Sequence, residues 1–412
     1  MRILNVTQSY APFYEFGGPP VKVEALATGL AQRGHQVTVL TVDWGFESHM
    51  TSAVSGENEG QAKRSAFGWT REMNGVRSVY LPTWFRYRAA TWNPAIAGYC
   101  RARLAGFDAV HIFGLYDLLG PAAARECRAQ KIPYVVEPIG MFVPIVRNIF
   151  LKRVYHARWG KEMLGGASAV IATAEQEVEE LAAGGIPRSK IVLRRNGVVA
   201  PRELPEPGRF RKHYGIPSDV LLILFLGRLS QKKSPDLLLE SFARLPESIA
   251  ERQVWLAFAG PDESGMQGLL QGLARERGVD SRVVFSGAVF GDMKWAAYRD
   301  ADVFVLPSQN ENFGNTAAEA AACGTPVVIT ENCGVAPLLK GMAALVVVHE
   351  TAAVAEAVKA ILSDTELRTR LSEGCRRTAS RLGWEEPVYA MEQIYAELAA
   401  EPPVVGQSAS QD

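Results

Sequence analysis

Short apolar runs alternate along this chain with longer stretches whose apolar positions recur at helical spacing, the pattern of buried strands separated by helices. Residues 2–7 (RILNVT) read as a strand. The following EFGGPPVKVEALATGLAQRGH supplies a Gly-Gly turn, prolines suited to a first helical turn, an apolar face and a glycine stop before the next run, QVTVLTV. That is a βαβ unit. Gly45 to Gly68 is polar and small-residue rich and predicts a mobile surface loop, a lid over the binding face. TREMNGVRSVYLP then places an Asn-Gly turn between two strand-like runs. DAVHIFG, a helix over 117–130, PYVVEPIG, a helix over 147–164, SAVIATA, a helix over 174–183 and KIVLRRNG continue the alternation, which predicts an α/β, doubly wound parallel sheet. A proline-rich stretch from Asn196 reads as a linker, and a second series of runs follows it. The division is residues 1–198, residues 199–383, a last helix over 384–400 and a tail over 401–412 expected to be disordered.

The most information-rich stretch is Val303 to Thr330, VFVLPSQNENFGNTAAEAAACGTPVVIT. A buried run stops at Pro307, an Asn- and Glu-rich loop follows, Gly314 opens an Ala-rich helix that closes at Gly324, and a second run begins at Pro326. Strand, loop, helix and strand in that order aim the loop and the helix N-terminus at one point above a parallel sheet, where amide N–H groups and the helix dipole favour a phosphate. The amides of Gly314, Asn315 and Thr316 are the candidates, with Phe313 just before them. Glu311 and Glu319 would be repelled by a phosphate. Glu319 therefore suits a ribose diol and Glu311 the group beyond the phosphates; the plainer reading is a favourable helix acid and a solvated loop charge. DVLLILFLGRLSQKKSPDLLLESF ends its apolar run in Gly227-Arg228, with Lys233 close behind. Two cations at a strand's carboxyl end would offset a diphosphate and stabilise it more as charge builds on a leaving group; an ordinary surface cluster is the alternative. Gly17 and Gly18 let a ligand approach the backbone, or simply form a tight turn. His111 reads as a strand-edge histidine able to touch a sugar or an acceptor, or as a satisfied core residue.

Composition adds exclusions. Five cysteines contain no C-x-x-C pair, which argues for reduced thiols and against a zinc or disulfide framework. No apolar run reaches the roughly 20 residues of a membrane span, and the start lacks signal-peptide architecture, so a cytoplasmic location is expected. Net charge is zero and no nucleic-acid partner is expected, yet residues 1–200 carry 23 Lys/Arg against 16 Asp/Glu and residues 201–412 carry 21 against 28. The halves are thus +7 and −7. Two segments of the first half, Trp84 to Arg103 and Val146 to Met163, mix basic with large apolar residues; a helix of that kind can lie peripherally at the inner face of a membrane, or pack ordinarily with its charges in water.

The string PSxxExFGxxxxEAxAxGxPVV, from Pro307 to Val328, resembles the signature of retaining nucleotide-sugar glycosyltransferases of the GT-B fold, glycosyltransferase family 4 in particular. The resemblance extends over about residues 1–400. It implies two Rossmann-like domains facing a cleft, the acceptor held by the first and the donor mostly by the second, with a C-terminal helix crossing back to the first. It implies a hexosyltransferase of polysaccharide or glycoconjugate biosynthesis that moves a sugar from a UDP- or GDP-type donor to a sugar, lipid-linked or small-molecule acceptor hydroxyl with retained configuration. No metal and no cofactor are required in that family. Its Gly-Gly loop, here Gly17-Gly18, faces the donor diphosphate; its base lies by the backbone around Gly287 to Phe290, Val289 included; and GRL...KG is matched by Arg228 and Lys233, with Ser234 in place of the usual glycine. Ile139 stands where many such enzymes have Arg or His, so acceptor assignment does not carry over. Asp300 and Asp302 form a D-x-D, but at the amino end of a strand, opposite the ligand face, where a turn and a solvated acid are expected rather than a metal site. A nucleotide-sugar epimerase on the same fold and a non-catalytic nucleotide-sugar scaffold are the alternatives.

Overall fold

The computed structural model describes residues 1–14, 17–44, 62–87, 90–143, 149–262 and 265–400. Most of the expected lid, over 45–61, and the tail over 401–412 lie outside them. The chain divides into two compact units, Met1–Arg195 with the residues from Trp384 onward, and Asn196–Gly383.

In the first unit the strands are β1 (Arg2–Thr7), β2 (Gln36–Val42), β3 (Lys63–Ser65), β4 (Gly68–Met73), β5 (Val76–Leu81), a separate ribbon of β6 (Phe85–Tyr87) and β7 (Ala90–Trp92), then β8 (Ala109–Phe113), β9 (Tyr134–Glu137), β10 (Ala169–Ala172) and β11 (Ile191–Leu193). Nine of them form one sheet in the order β11-β10-β9-β8-β1-β2-β5-β4-β3. Pairing is parallel from β11 to β5 and antiparallel at the β4 and β3 edge. The Asn-Gly signal is met by a two-residue turn: Met73 pairs with Val76, and Asn74 and Gly75 take φ of 52° and 74°, as a turn matching strand twist requires. Both faces of the sheet are covered, so β1 and β8 are buried almost without interruption. Helix Gly18–Gln32 and the last helix, Glu385–Ala400, cover one face, where Val388, Met391 and Tyr395 join Ile3, Val23, Leu26 and Val39 in a single apolar cluster.

The second unit holds β12 (Leu221–Leu226), β13 (Ser248–Ile249), β14 (Arg252–Ala259), β15 (Val283–Gly287), β16 (Val303–Leu306), β17 (Val327–Thr330) and β18 (Ala344–Val347). They form one seven-stranded sheet in the order β13-β14-β12-β16-β17-β18, with β15 also pairing β14 and only β13 antiparallel. The linker-like stretch is part of this unit: the Val198 amide donates to Leu382 at 2.6 Å and Arg299 donates to the Leu204 carbonyl at 3.0 Å.

Asp300 and Asp302 are structural, and neither is merely solvated. The Asp300 carboxylate accepts the amides of Gly208, Phe210 and Arg211 at 2.6, 2.8 and 3.1 Å, capping helix Arg209–Tyr214 from another part of the chain. Asp302 accepts the Leu222 amide at 2.8 Å and Arg211 at 2.9 Å. The five cysteines are unpaired, four of them buried.

Candidate active site

Within the second unit, three parallel strands end in glycines at one edge, Gly227 after β12, Gly260 after β14 and Gly287 closing β15. The backbones crowd there: a Cβ on Gly260 would sit 1.8 Å from the Gly227 carbonyl oxygen, so no other residue fits. Gly227 lies under the stem of Lys233. The chain from Gly227 runs through a short turn, Gln231–Lys233, to helix Pro235–Ala243. Ser234 closes the turn in the left-handed region, φ 48°, where glycine is favoured; its hydroxyl bonds His349 Nε2 at 2.9 Å.

The loop between β16 and helix Asn315–Ala322 is tied down on both sides. The Glu311 amide donates to Asn332 and its carbonyl accepts from Gly334, at 2.9 and 3.0 Å; the Val335 amide donates to Phe313 at 2.6 Å, and that of Gln309 to Lys232 at 3.0 Å. Gly314, at φ 96°, turns the chain into the helix against Val335 and Leu306, a conformation that strains any side chain. This frame holds the Glu311 carboxylate 2.7 Å from Lys233 Nζ, with both side chains about a fifth exposed. Burial pushes the Glu311 carboxyl up, but Lys233, helped by Lys232 and Arg228, pulls it further down, and it stays below the usual carboxylate range. Glu311 is therefore ionised throughout the neutral range, and its carboxylate charge is lost as pH falls below that range. Arg228 is exposed on the same turn.

At the helix N-terminus the first intrahelical bonds run from Ala317 and Ala318 to Gly314, ahead of which stand the amides of Asn315 and Thr316. Asn315 Oδ1 and Thr316 Oγ1 are buried with no hydrogen-bond partner in the protein, which suits atoms that face a polar ligand. Glu319, one turn on, is held by Lys294 at 2.9 Å and by the buried Tyr298 hydroxyl at 2.8 Å, both from helix Gly291–Asp300. A carboxylate has lone pairs left for a diol beyond these two bonds. Lys294 and Tyr298, which position Glu319, are not legible in the sequence, since no short-range pattern links them to it.

Two expected ligand contacts are anchors. The Phe313 ring is buried in the core of the unit, and so is the Val289 side chain, leaving only their backbones for a ligand; Phe290 beside Val289 is the exposed member of that turn.

In the first unit Gly17 takes φ 91° with open space where a Cβ would be, and Gly18 begins the helix; Glu15 and Phe16 lie outside the described residues. His111 corrects the strand-edge reading. It sits in mid-strand between Asn5 and Val135, is fully buried, and cannot touch a substrate. Its Nδ1 meets the Tyr395 hydroxyl at 2.7 Å and its Nε2 lies 3.5 Å from Glu137, while Lys22 and Arg194 both contact the same Glu137 carboxylate. Burial first, then Arg194 and Lys22, hold His111 well below its ordinary pKa, so the ring is neutral. At the end of β9, Ile139 adopts φ 55°, an uncommon conformation for a β-branched residue, beside a Gly140 amide that donates to Glu177 at 2.7 Å.

Two doubly wound units, one carrying cations, a fixed carboxylate and a helix N-terminus at the carboxyl edge of its sheet, are the parts of a GT-B glycosyltransferase. Residues 208–378 match the family model described as glycosyl transferases group 1, and residues 17–197 match the glycosyl transferase 4-like domain. Its two halves are thus a glycosyl transferase 4-like domain and a glycosyl transferases group 1 domain. It is 34% identical over 247 residues to a D-inositol 3-phosphate glycosyltransferase of Streptomyces bingchenggensis, a match covering 58% of this chain and 54% of that relative's length. To the protein of that name from Corynebacterium jeikeium it is 28% identical over 97% of each. In fold it is similar to sucrose-phosphate synthase from Thermosynechococcus elongatus, TM-score 0.74 at 21% identity over 97% of this chain and 99% of that one. It is likewise similar to Anabaena HepE in complex with UDP and glucose, TM-score 0.73 at 18% identity over 97% and 100%.

Proposed function

We propose that the chain transfers a hexose from a nucleoside diphosphate sugar of UDP or GDP type to an acceptor hydroxyl, with retained anomeric configuration and no metal ion. The observation that carries this reading is the Lys233–Glu311 pair, fixed beside the helix N-terminus at Gly314. Arg228, Lys233 and the first-turn amides hold the diphosphate and stabilise it as the bond to the sugar breaks. Glu319 takes the ribose diol and Glu311 a hydroxyl of the donor sugar. Glu311, ionised and bonded to Lys233, serves as a hydrogen-bond acceptor for that hydroxyl rather than as a covalent nucleophile. Attack then comes on the face the diphosphate leaves: the acceptor oxygen bonds the anomeric carbon, the carbon–phosphate-oxygen bond breaks, and the acceptor proton passes to a phosphate oxygen of the leaving group. Relatives named for D-inositol 3-phosphate support a phosphorylated polyol as one acceptor class.

The test is a donor panel followed by proton NMR of the product. Nucleoside diphosphate should be released only when acceptor is present, the new linkage should keep the donor's configuration, and EDTA should leave the rate within about twofold, since protein cations already serve the phosphates. Donor turnover without acceptor would favour an epimerase, an inverted linkage would overturn the same-face route, and loss with EDTA restored by magnesium would overturn metal independence.

A further inference from the structure

The first unit contains a cavity of about 760 Å³, lined by residues of helix Ala95–Arg103, helix Leu119–Gln130 and the segment from His156 to Gly165. None of the residues assigned to the donor lines it. Its inner wall is apolar, with Ile96, Leu119 and Met163 buried, and Trp92 and Trp159 complete it. Arg125, Arg128 and Arg158 lie at it with Glu126 and Glu162; Arg128 and Glu162 are paired at 2.5 Å, so Arg125 and Arg158 leave an excess of positive charge over Glu126. The segment bearing Arg158 and Trp159 winds as a π-turn, a local irregularity that recurs at binding sites.

Trp92 also belongs to the β6–β7 ribbon, where it pairs with Phe85 and its carbonyl accepts the Trp84 amide. Trp84, Phe85 and Trp92 are 75%, 65% and 53% exposed, three large aromatic side chains on or beside one ribbon that water disfavours. Helix Ile149–Tyr155, which leads into the π-turn, exposes Phe150 and Leu151 next to Lys152 and Arg153. The mixed segments seen in the sequence are thus a ribbon and a short helix leading to one cavity; 144–148, at the start of the second, lie outside the described residues.

We propose that this cavity takes the hydrocarbon chain of an anionic lipid, its phosphate at Arg125 and Arg158, while the Trp84–Phe85–Trp92 ribbon rests in the membrane interface. Apolar walls of this size suit an extended chain. The cation excess at the mouth selects a phosphate-bearing head, and exposed aromatics beside basic side chains are what an interface accommodates. The inference does not rest on the transfer reaction.

Calorimetric titration of the full chain with dihexanoyl phosphatidylglycerol below its micelle concentration tests it, alongside flotation with phosphatidylcholine vesicles with and without phosphatidylglycerol. Saturable binding of the monomeric lipid and flotation with the anionic vesicles are expected. Ala122→Phe and Ala97→Phe, which fill the cavity from two walls, should each weaken lipid binding at least about tenfold at unchanged Tm, because every excluded methylene forfeits about fourfold in affinity. Arg125→Glu with Arg158→Glu should weaken binding of the anionic lipid and leave that of dihexanoyl phosphatidylcholine nearly unchanged. Lack of saturable binding by the wild type, equal binding by both filled variants, or competition by inorganic phosphate as strong as by the lipid would each overturn the proposal, the last by making the site one for phosphate alone.

Discussion

Lys233→Ala is expected to lower kcat/KM about 10²–10³-fold, equivalent to about 2.7–4 kcal/mol of transition-state stabilisation, the usual loss when a fixed donor aimed at developing charge is removed. Lys233 lies over Gly227 and contacts Glu311, on the loop before the helix, at 2.7 Å. Glu311→Ala should fall mainly in kcat, because a contact to the reacting sugar tightens as the sugar flattens toward the transition state, whereas Glu319→Ala should fall mainly in donor affinity. The Lys233 and Glu311 effects should not add in the double variant, as two partners in one bonded pair share their contribution. The loop itself should survive either change, because it is fixed by backbone bonds to residues 332–335. Steady-state kinetics decide the matter: turnover within about twofold of wild type for both single variants would remove the pair from the mechanism.

Glu137→Ala should cost the first unit about 3–5 kcal/mol of stability and in practice prevent stable folding, because it leaves Lys22 and Arg194 buried without their shared counter-ion. Tyr395→Phe removes one hydrogen bond to His111 from the last helix and should cost only about 1 kcal/mol. The same cluster sets a pH dependence. His111 faces Glu137, Lys22, Arg194 and Tyr395, and its folded pKa is depressed, so only the unfolded chain takes up its proton below the ordinary histidine pKa of about 6.5. His156, also depressed by burial, acts in the same direction. Stability is therefore fully present above that pH and declines as pH falls through it. Denaturant titrations of wild type at several pH values, with Glu137→Ala and Tyr395→Phe at neutral pH, read both effects; equal stabilities of the two variants would show the buried charges to be solvated.

What the sequence discloses follows from the range of the interaction. The strands with near-continuous apolar runs, the Asn74-Gly75 hairpin and the strand–loop–helix–strand order around Glu311 are local patterns, and the structure contains them where they were expected. Residue type does not disclose direction. Phe313 and Val289 stand in loops expected to face a ligand but turn inward, because an aromatic or branched side chain there stabilises the loop by burial. His111 was open to two readings and Asp300 was expected to be solvated for a different reason: their partners lie 284 residues away at Tyr395 and about 90 residues away at Gly208–Arg211, and only the folded chain brings them together. Lys294 and Tyr298 escaped notice likewise, being 25 and 21 residues from the carboxylate they hold.

The central claim is that the edge of the second unit formed by Lys233, Glu311 and the first turn at Gly314 binds a nucleoside diphosphate. Calorimetric titration of UDP, GDP and ADP into the wild-type chain and into Lys233→Ala tests it most directly. One of these should saturate a single site, and Lys233→Ala should weaken it at least about tenfold, or about 1.4 kcal/mol, with Tm unchanged. Binding of none of them, or equal affinity in the two proteins, would contradict the claim.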